Sequence, residues 1–304
     1  MFDRVLLLTD LDDKPELTFG PLQAISQVCS NKLLIFHAVR GSSDLFYLEG
    51  EAAKVRTLID QQAQKAVQPR IDALVSLFEA RGISTGAVTR IGSTFDLALP
   101  AISDLMIDLV VIPQEGYADF TDRVSGSTTA RILREGEVAV LTINHHFQKR
   151  SETWNGFHRC LMPHSFTAGG EQRLAGAEHF AAEFGSRLEL VHVVQPIHEQ
   201  TLQTPEGQVL LPKDLHYQVK SRLESQLSEA AHAITKVPAD WRLLEDNKPG
   251  SGVMSYADRA GHDLIIVPPI GHTEVRNTVL GNVVEHVIKH ARVPVLTLRK
   301  GWER

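Results

Sequence analysis

Cysteine is nearly absent: Cys29 and Cys160 are the only thiols in 304 residues, and no C-x-x-C pair occurs. A disulfide framework and a structural zinc site of ordinary spacing are therefore excluded. Cys29 falls in a helical pattern and Cys160 in an apolar strand pattern, so both read as small core side chains. Positive charge is also short. Lys and Arg number 31 against 37 Asp and Glu, a net charge of −6, and they form no basic block. A generic nucleic-acid binder needs a basic face, so nucleic acid is not expected as a partner. No stretch approaches the ~18 apolar residues of a membrane span. The first apolar run, within MFDRVLLLTDLDD, is too short for a signal peptide and is followed at once by acids. The expected location is cytoplasmic, with no membrane partner. Three motifs are missing too: the Walker A loop, the G-x-S-x-G elbow and a G-x-G-x-x-G fingerprint after the first strand. No nucleophile, base and orienting acid can be assembled, and no catalytic residue is assigned.

What the chain does have is an internal repeat. Asp108-Leu109-Val110-Val111-Ile112-Pro113 followed by Gly116 matches Asp263-Leu264-Ile265-Ile266-Val267-Pro268 followed by Gly271, at an offset of 155 residues. The same offset of 155 relates Phe2-Asp3-Arg4 to Phe157-His158-Arg159, the Leu33–His37 window to Leu188–His192, and VAVLTI from Val138 to VPVLTL from Val293. A period this long is a duplicated domain, not a solenoid. Hydrophobic residues make up 43% of the chain, enough for two ordinary cores of about 150 residues each. The expected domains are residues 1–146 and 154–304, joined by a polar linker within 144–156 (NHHFQKRSETWNG).

Each copy alternates strands and helices. In the first, strands are predicted at 2–9, 32–39, 84–91, 108–113 and 139–143, rich in Val, Ile and Leu on both faces, as in a helix-covered parallel sheet. Helices are predicted at 17–30, 51–81, 94–106 and 127–135, with Gly82 as the residue that ends the second and Pro69 expected to kink or split it. In the second copy a helix near 213–236 carries Leu215, Val219, Leu223 and Leu227 on one stripe. The fold class is α/β: two tandem doubly wound five-stranded parallel sheets. The two copies are expected to pair about a pseudo-twofold axis through their last strands, because pairing would cover exposed edges.

Ligands of such sheets bind outside the carboxyl ends of the strands, at the point where strand order reverses. After the fourth strand come Pro113-x-x-Gly116, nine residues, and Gly126-Ser127; the second copy has Pro268-x-x-Gly271, nine residues, and Gly281-Asn282. Glycines let the backbone approach a phosphate, and the helix that follows offers unpaired N–H groups and a positive dipole end. This G-x-x-G-(nine residues)-G-[S/T] arrangement resembles the ATP-binding signature of the universal stress protein family. The resemblance covers both halves nearly end to end. The fused copies and the Gly-Asn form are similar to the tandem E-type members, whose folds are adenine-nucleotide α-hydrolase-like. It implies a cytoplasmic stress-response protein that binds ATP or another adenine nucleotide at this switch point. It also implies a protein partner, work as a pseudo-dimer or homodimer, and no firmly assigned reaction beyond at most weak ATP hydrolysis.

The two copies depart from that pattern differently. Both have proline, Pro113 and Pro268, in place of the first glycine. The acid expected after the first strand is Asp10 in the first copy and Ser165 in the second. The first loop carries Glu115, Asp119 and Asp122 against Arg123, whereas the second offers His272, Thr273 and Arg276 against Glu274. The candidate ligand-binding residues are therefore Gly271, His272, Thr273, Arg276, Gly281 and Asn282, with Asp10, Gly116, Gly126 and Ser127 in the first copy. The second loop is the better host for a polyphosphate. Two other readings stand beside a nucleotide-binding regulator. One is an adenylyl-cleaving or -transferring enzyme using the acids of 115–122; the other is an interaction protein with vestigial sites. No metal is expected: His37 and His192 read as strand-end histidines with structural hydrogen bonds, and the i, i+4 pair His286 and His290 as one exposed helix face.

Overall fold

A computed structural model describes residues 2–11, 15–29, 32–42, 52–114, 128–166, 170–196, 201–204, 207–210, 212, 214–267 and 282–298. The chain divides into two compact units, Met1–Gly156 and Phe157–Arg304. Unit 1 runs β1 (Val5–Leu8), α1 (Glu16–Val28), β2 (Leu33–Val39), α2 (Ala52–Glu79), β3 (Thr85–Ile91), α3 (Thr94–Asp104), β4 (Leu109–Gln114), α4 (Thr128–Glu135), β5 (Ala139–Asn144) and a short α5 (Gln148–Ser151). Its strands pair in parallel in the order β3-β2-β1-β4-β5. Unit 2 runs β6 (Arg159–Pro163), α6 (Gly170–Glu183), β7 (Arg187–Val194), β8 (Thr201–Thr204), β9 (Gly207–Leu210), α7 (Leu215–His232), β10 (Ala239–Glu245), α8 (Pro249–Ala260), β11 (Leu264–Val267), α9 (Asn282–His290) and β12 (Val295–Thr297). Its parallel order, β10-β7-β6-β11-β12, is the same topology. The antiparallel ribbon β8–β9, with Leu202 opposite Val209, is an addition that the repeat did not announce.

Burial follows position in the sheet. All four residues of β1 and of β11 are buried, while the outer strands β3 and β10 are mostly half-exposed. Helices on both faces make the inner strands apolar throughout, and an edge strand loses part of that cover. In unit 1, α1 and α2 share a face: Phe19 meets Phe78 edge-on at 5.2 Å, and the Arg81 guanidinium lies 3.8 Å from the Phe19 ring centre. Cys160 is buried, and its burial raises the thiol pKa; Cys29 is only partly buried and sits just past the end of α1.

One expectation is corrected. Pro69 does not split α2, which runs unbroken from Ala52 to Glu79. A helix-interior proline removes one hydrogen bond, but Ile71 and Phe78, 1% and 0% exposed, bury against the sheet on the far side of it. The segment 144–156 belongs to unit 1. Asn144 ends β5, and its side chain accepts from the His146 N–H at 2.9 Å to start a 3-10 turn over His145–Phe147. Phe147 is fully buried, and Trp154 packs edge-on to it at 6.1 Å and lies over Gly20. The polar letters around them concealed two aromatic anchors.

The repeat persists at the level of single hydrogen bonds. Asp108 Oδ2 accepts from the N–H groups of Asp3 and Arg4 at 2.8 and 2.9 Å; Asp263 Oδ2 accepts from His158 and Arg159 at 2.9 and 3.0 Å. The turns that lead into β4 and β11 also correspond. After α8, Gly261 adopts φ +73°, and the His262 N–H reaches the Ala257 carbonyl at 3.0 Å. After α3, Met106 holds the same left-handed conformation at φ +51°, with the Ile107 N–H on the Ile102 carbonyl at 2.9 Å. Both are helix ends of the Schellman kind, in which a residue with a Cβ is strained and glycine is not.

Unit 2 also contains a polar cluster where unit 1 is apolar. On β7, Glu189 accepts from the Tyr256 hydroxyl and lies 3.0 Å from His262 Nε2; the residues 155 earlier are Leu34, Ala101 and Ile107. Burial alone would raise the Glu189 pKa, but the bonds from His262 and Tyr256, with the charges of His262 and Arg242, outweigh it and hold the carboxyl below its usual range. Burial and the Glu189 bond push the Tyr256 hydroxyl up.

Two predictions follow from these contrasts. Met106 is 63% exposed and gives up no packing, so Met106→Gly is expected to raise stability by about 0.5–1 kcal/mol in urea unfolding, and Gly261→Met to lower it. For the cluster, Glu189→Leu removes the carboxylate from beside His262, whose side chain is 1% exposed, and is expected to cost about 1–3 kcal/mol at pH 7. Adding His262→Ile should recover at least about 1 kcal/mol in a double-mutant cycle. Because the folded carboxyl titrates below its unfolded value, its contribution is present above the unfolded pKa and lost as pH falls through the folded one. The wild-type advantage over the double variant should therefore shrink in acid.

Candidate functional site

In each sheet the order of strands reverses once. In unit 1 the reversal lies between β1 and β4, in unit 2 between β6 and β11, and the carboxyl ends of these strands frame the crevice.

In unit 1 the end of β1 is tightly organised. The Thr9 N–H continues the ladder to the Phe36 carbonyl at 3.1 Å. Thr9 Oγ1 accepts from the Leu11 N–H at 2.9 Å, and Leu11 stands at φ +70°, a left-handed conformation that costs a side-chain-bearing residue about 1–2 kcal/mol. The Arg70 guanidinium donates to the Leu11 carbonyl at 2.6 Å. Asp10 is exposed at this rim, where the sequence placed it. Across the reversal, β4 keeps Pro113 inside the strand, opposite Ile143, and ends at Gln114, opposite Asn144. Gln114 is 8% exposed, and neither its carboxamide oxygen nor its nitrogen has a hydrogen-bond partner among the described residues. A buried unpaired amide costs roughly 1–3 kcal/mol, and the sequence alone carries no signal for it.

In unit 2 the residue matching Thr9 is His164, 8% exposed. Its ring packs edge-on to Phe166 at 5.1 Å, and Phe166 lies 5.0 Å from His192. Burial, then the charge of Arg173 and that of His192, push the His164 pKa down to about 4, so the imidazole is neutral near pH 7. Burial likewise lowers the pKa of the Arg173 guanidinium, which stands on the first turn of α6 where unit 1 has Thr18. Sequence reasoning missed both residues, because neither belongs to the glycine loop.

The strand-end histidines are structural in both units. His37 Nδ1 lies 2.9 Å from the Thr9 carbonyl and His192 Nδ1 2.8 Å from the His164 carbonyl; a carbonyl only accepts, so each Nδ1 carries the proton. On α9, His286 packs on Gly250, its Nε2 lies 3.2 Å from Ser251 Oγ, and its ring is 4.8 Å from His290. No group of three or more His, Cys, Asp or Glu able to hold a metal ion occurs among the described residues. No helix there is long and apolar enough to cross a membrane.

Asn282 is the first residue of α9. The remaining loop candidates, Gly116, Gly126, Ser127, Gly271, His272, Thr273, Arg276 and Gly281, lie outside the described residues.

Each unit is a doubly wound α/β domain on a five-stranded parallel sheet, so the same fold is present twice. Residues 1–144 and 156–299 each match the pattern of the Universal stress protein family, and the chain belongs to that family. It is 27% identical over 157 residues to a universal stress protein of Methanocaldococcus jannaschii, an alignment spanning 48% of this chain and 84% of that protein. It is 28% identical over 143 residues to one of Thermus aquaticus, spanning 47% of this chain and 99% of that protein. Among solved structures, a universal stress protein from Archaeoglobus fulgidus superposes with a TM-score of 0.66 at 16% identity, over 98% of this chain and 97% of that one. A functionally unknown protein from Pseudomonas aeruginosa PAO1 superposes at 0.60 and 12% identity, over 98% and 93%. These last two are likenesses of fold.

The His164 environment is directly measurable. Its imidazole is expected to titrate with a midpoint near pH 4 in NMR, and Arg173→Gln should move that midpoint upward. The folded state binds the proton less readily than the unfolded chain, so this group makes stability fall as pH drops from about 6.5 toward 4.

Proposed function

We propose that this protein is a cytoplasmic stress-response regulator that binds an adenine nucleotide, ATP or a relative, at the reversal point of unit 2, and that the bound state controls a protein partner. The observation that carries the choice of unit is Arg173, a cation close enough to His164 to depress its pKa, at a position occupied by Thr18 in unit 1. A polyphosphate brings several negative charges, and the loop after β11 adds Arg276, His272 and Thr273 in sequence, whereas the loop after β4 adds Glu115, Asp119 and Asp122. Like charges at close range cost on the order of 1 kcal/mol per pair even in water. Phosphates would be held by the backbone around Gly271 and Gly281 and by the N-terminus of α9, where Asn282 takes the place of a hydroxyl residue. The neutral His164 adds no charge of its own. Asp10, Gly116, Gly126 and Ser127 then form the weaker, first-unit counterpart. Pairing of the two units about a pseudo-twofold axis, or of two chains as a homodimer, belongs to the same reading.

Isothermal titration with ATP, ADP and AMP tests it. Gly281→Val should abolish binding by closing the backbone approach, while Gly126→Val should leave affinity within a few-fold. The reverse order would place the site in unit 1, and no heat with any of the three nucleotides would defeat the nucleotide reading.

A further inference from the structure

Where α8 meets α9 in unit 2, a hydroxyl faces an imidazole. Ser251 stands in the first turn of α8, and its Oγ lies 3.2 Å from Nε2 of His286 on α9. Both residues are half-buried. A hydroxyl alone is a weak nucleophile, and a base within hydrogen-bond reach is what activates it. Glycine brings the imidazole there. A Cβ on Gly250 would fall 2.8 Å from His286 Cδ2 and 3.0 Å from its Cβ, so a side chain at that position would push the ring away. The helix end supplies a second element of acyl chemistry. The first bond of α8 runs from the Gly252 N–H to the Lys248 carbonyl at 3.0 Å, and the Lys248 side chain makes no cap bond. The N–H groups of Gly250 and Ser251 lie ahead of that bond, where a helix has no internal acceptor for them and its dipole favours negative charge. Donors so placed stabilise an oxyanion that forms beside the serine.

Unit 1 is an internal control for this joint. The residues 155 earlier are Asp96 for Ser251, Arg131 for His286 and Phe95 for Gly250. There the Arg131 guanidinium lies 3.9 Å from Asp96 Oδ1, donates to the Phe95 carbonyl at 2.6 Å and covers the Phe95 ring at 4.5 Å. Charge and stacking are thus enough to join these two helices. The joint itself does not call for a nucleophile and a base.

We infer that Ser251 and His286 form a nucleophile–base dyad that hydrolyses small carboxylic esters. Ser251 Oγ adds to the ester carbonyl while His286 Nε2 takes the hydroxyl proton. The carbonyl C–O bond to the alcohol then breaks, and the imidazolium gives that proton to the departing oxygen. Water, losing a proton to the same nitrogen, adds to the acyl group on Ser251; the bond to Oγ breaks, Oγ regains the proton, and the carboxylic acid leaves. Ester and water give acid and alcohol, with nothing oxidised or reduced. Among the described residues no carboxylate hydrogen-bonds to His286, and its ring is placed by packing on Gly250 and His290. Such a base suits esters, whose oxygen leaves with little help from an acid, rather than amides.

Labelling of the full-length chain with a fluorophosphonate tests the inference: Ser251 Oγ displaces fluoride from phosphorus and its proton passes to His286 Nε2. Peptide mass mapping should place the adduct on Ser251. His286→Asn should slow the labelling about a hundredfold or more, the effect of losing a general base. Hydrolysis of p-nitrophenyl acetate should fall at least about tenfold in Ser251→Ala. The double variant S251D/H286R installs the unit 1 pair, so it should keep the wild-type circular dichroism while losing both the label and the esterase activity. All of these measurements run without nucleotide, so failure here is distinct from failure of the nucleotide reading. No adduct on Ser251, labelling undiminished by His286→Asn, or esterase activity undiminished in the double variant would each overturn the inference.

Discussion

One carboxylate in each unit holds together the strand pair on which the site depends. Asp108 takes the N–H groups of Asp3 and Arg4 while its own N–H donates to the Arg4 carbonyl at 3.0 Å, and Asp263 does the same with His158 and Arg159. These bonds join the entry of the first strand to the entry of the fourth, the pair at which strand order reverses. In parallel sheets such neighbours are separated by many residues of chain, so a side-chain clasp that sets their register has unusual leverage. Burial raises the Asp263 pKa, and the two N–H bonds act in the opposite direction. The crevice at the carboxyl ends inherits its alignment from this pairing at the amino ends.

Duplication preserved that frame and freed the side chains set on it. His164 stands where unit 1 has Thr9, Phe166 where it has Leu11, Arg173 where it has Thr18, and Glu189, in partnership with Tyr256 and His262, where it has Leu34. None of these changes disturbs strand order. Each alters the surroundings of the reversal point: unit 1 sets Thr9 and Leu11 there, and unit 2 a neutral imidazole with an arginine near it. The fold tolerates this because the core is carried by apolar strands whose faces are covered by helices, while the differences sit at strand ends and on the helices beside them.

Much of the architecture was legible because its signals are local or periodic. Short Val, Ile and Leu runs marked the five strands of unit 1, and Gly82, at φ +77°, ends α2 as its position after the helical pattern implied. His37 and His192 could be read as structural because they recur at strand ends. Pro69 misled because helix propensity is a weak local preference, and burial of Ile71 and Phe78 prevails over it. In the segment 144–156 average polarity hides Phe147 and Trp154, which pack on each other and, for Trp154, on Gly20.

By itself the sequence determined the duplication, the alternation of strands and helices, the reversal topology that follows from it, and the recurrence of the glycine-bearing segments after the fourth strand of each copy. Those properties depend on order and spacing along the chain. Only the tertiary structure decided that Glu189 meets Tyr256 and His262, that Arg173 lies near His164, that Gln114 is buried with its amide unpaired among the described residues, and that Leu11 is held left-handed by Arg70 across 59 positions. Each of these is an encounter between residues, or between a residue and its surroundings, that chain spacing does not encode. Desolvation and hydrogen bonding then set the energies of those encounters, and they act only once the packed interior exists.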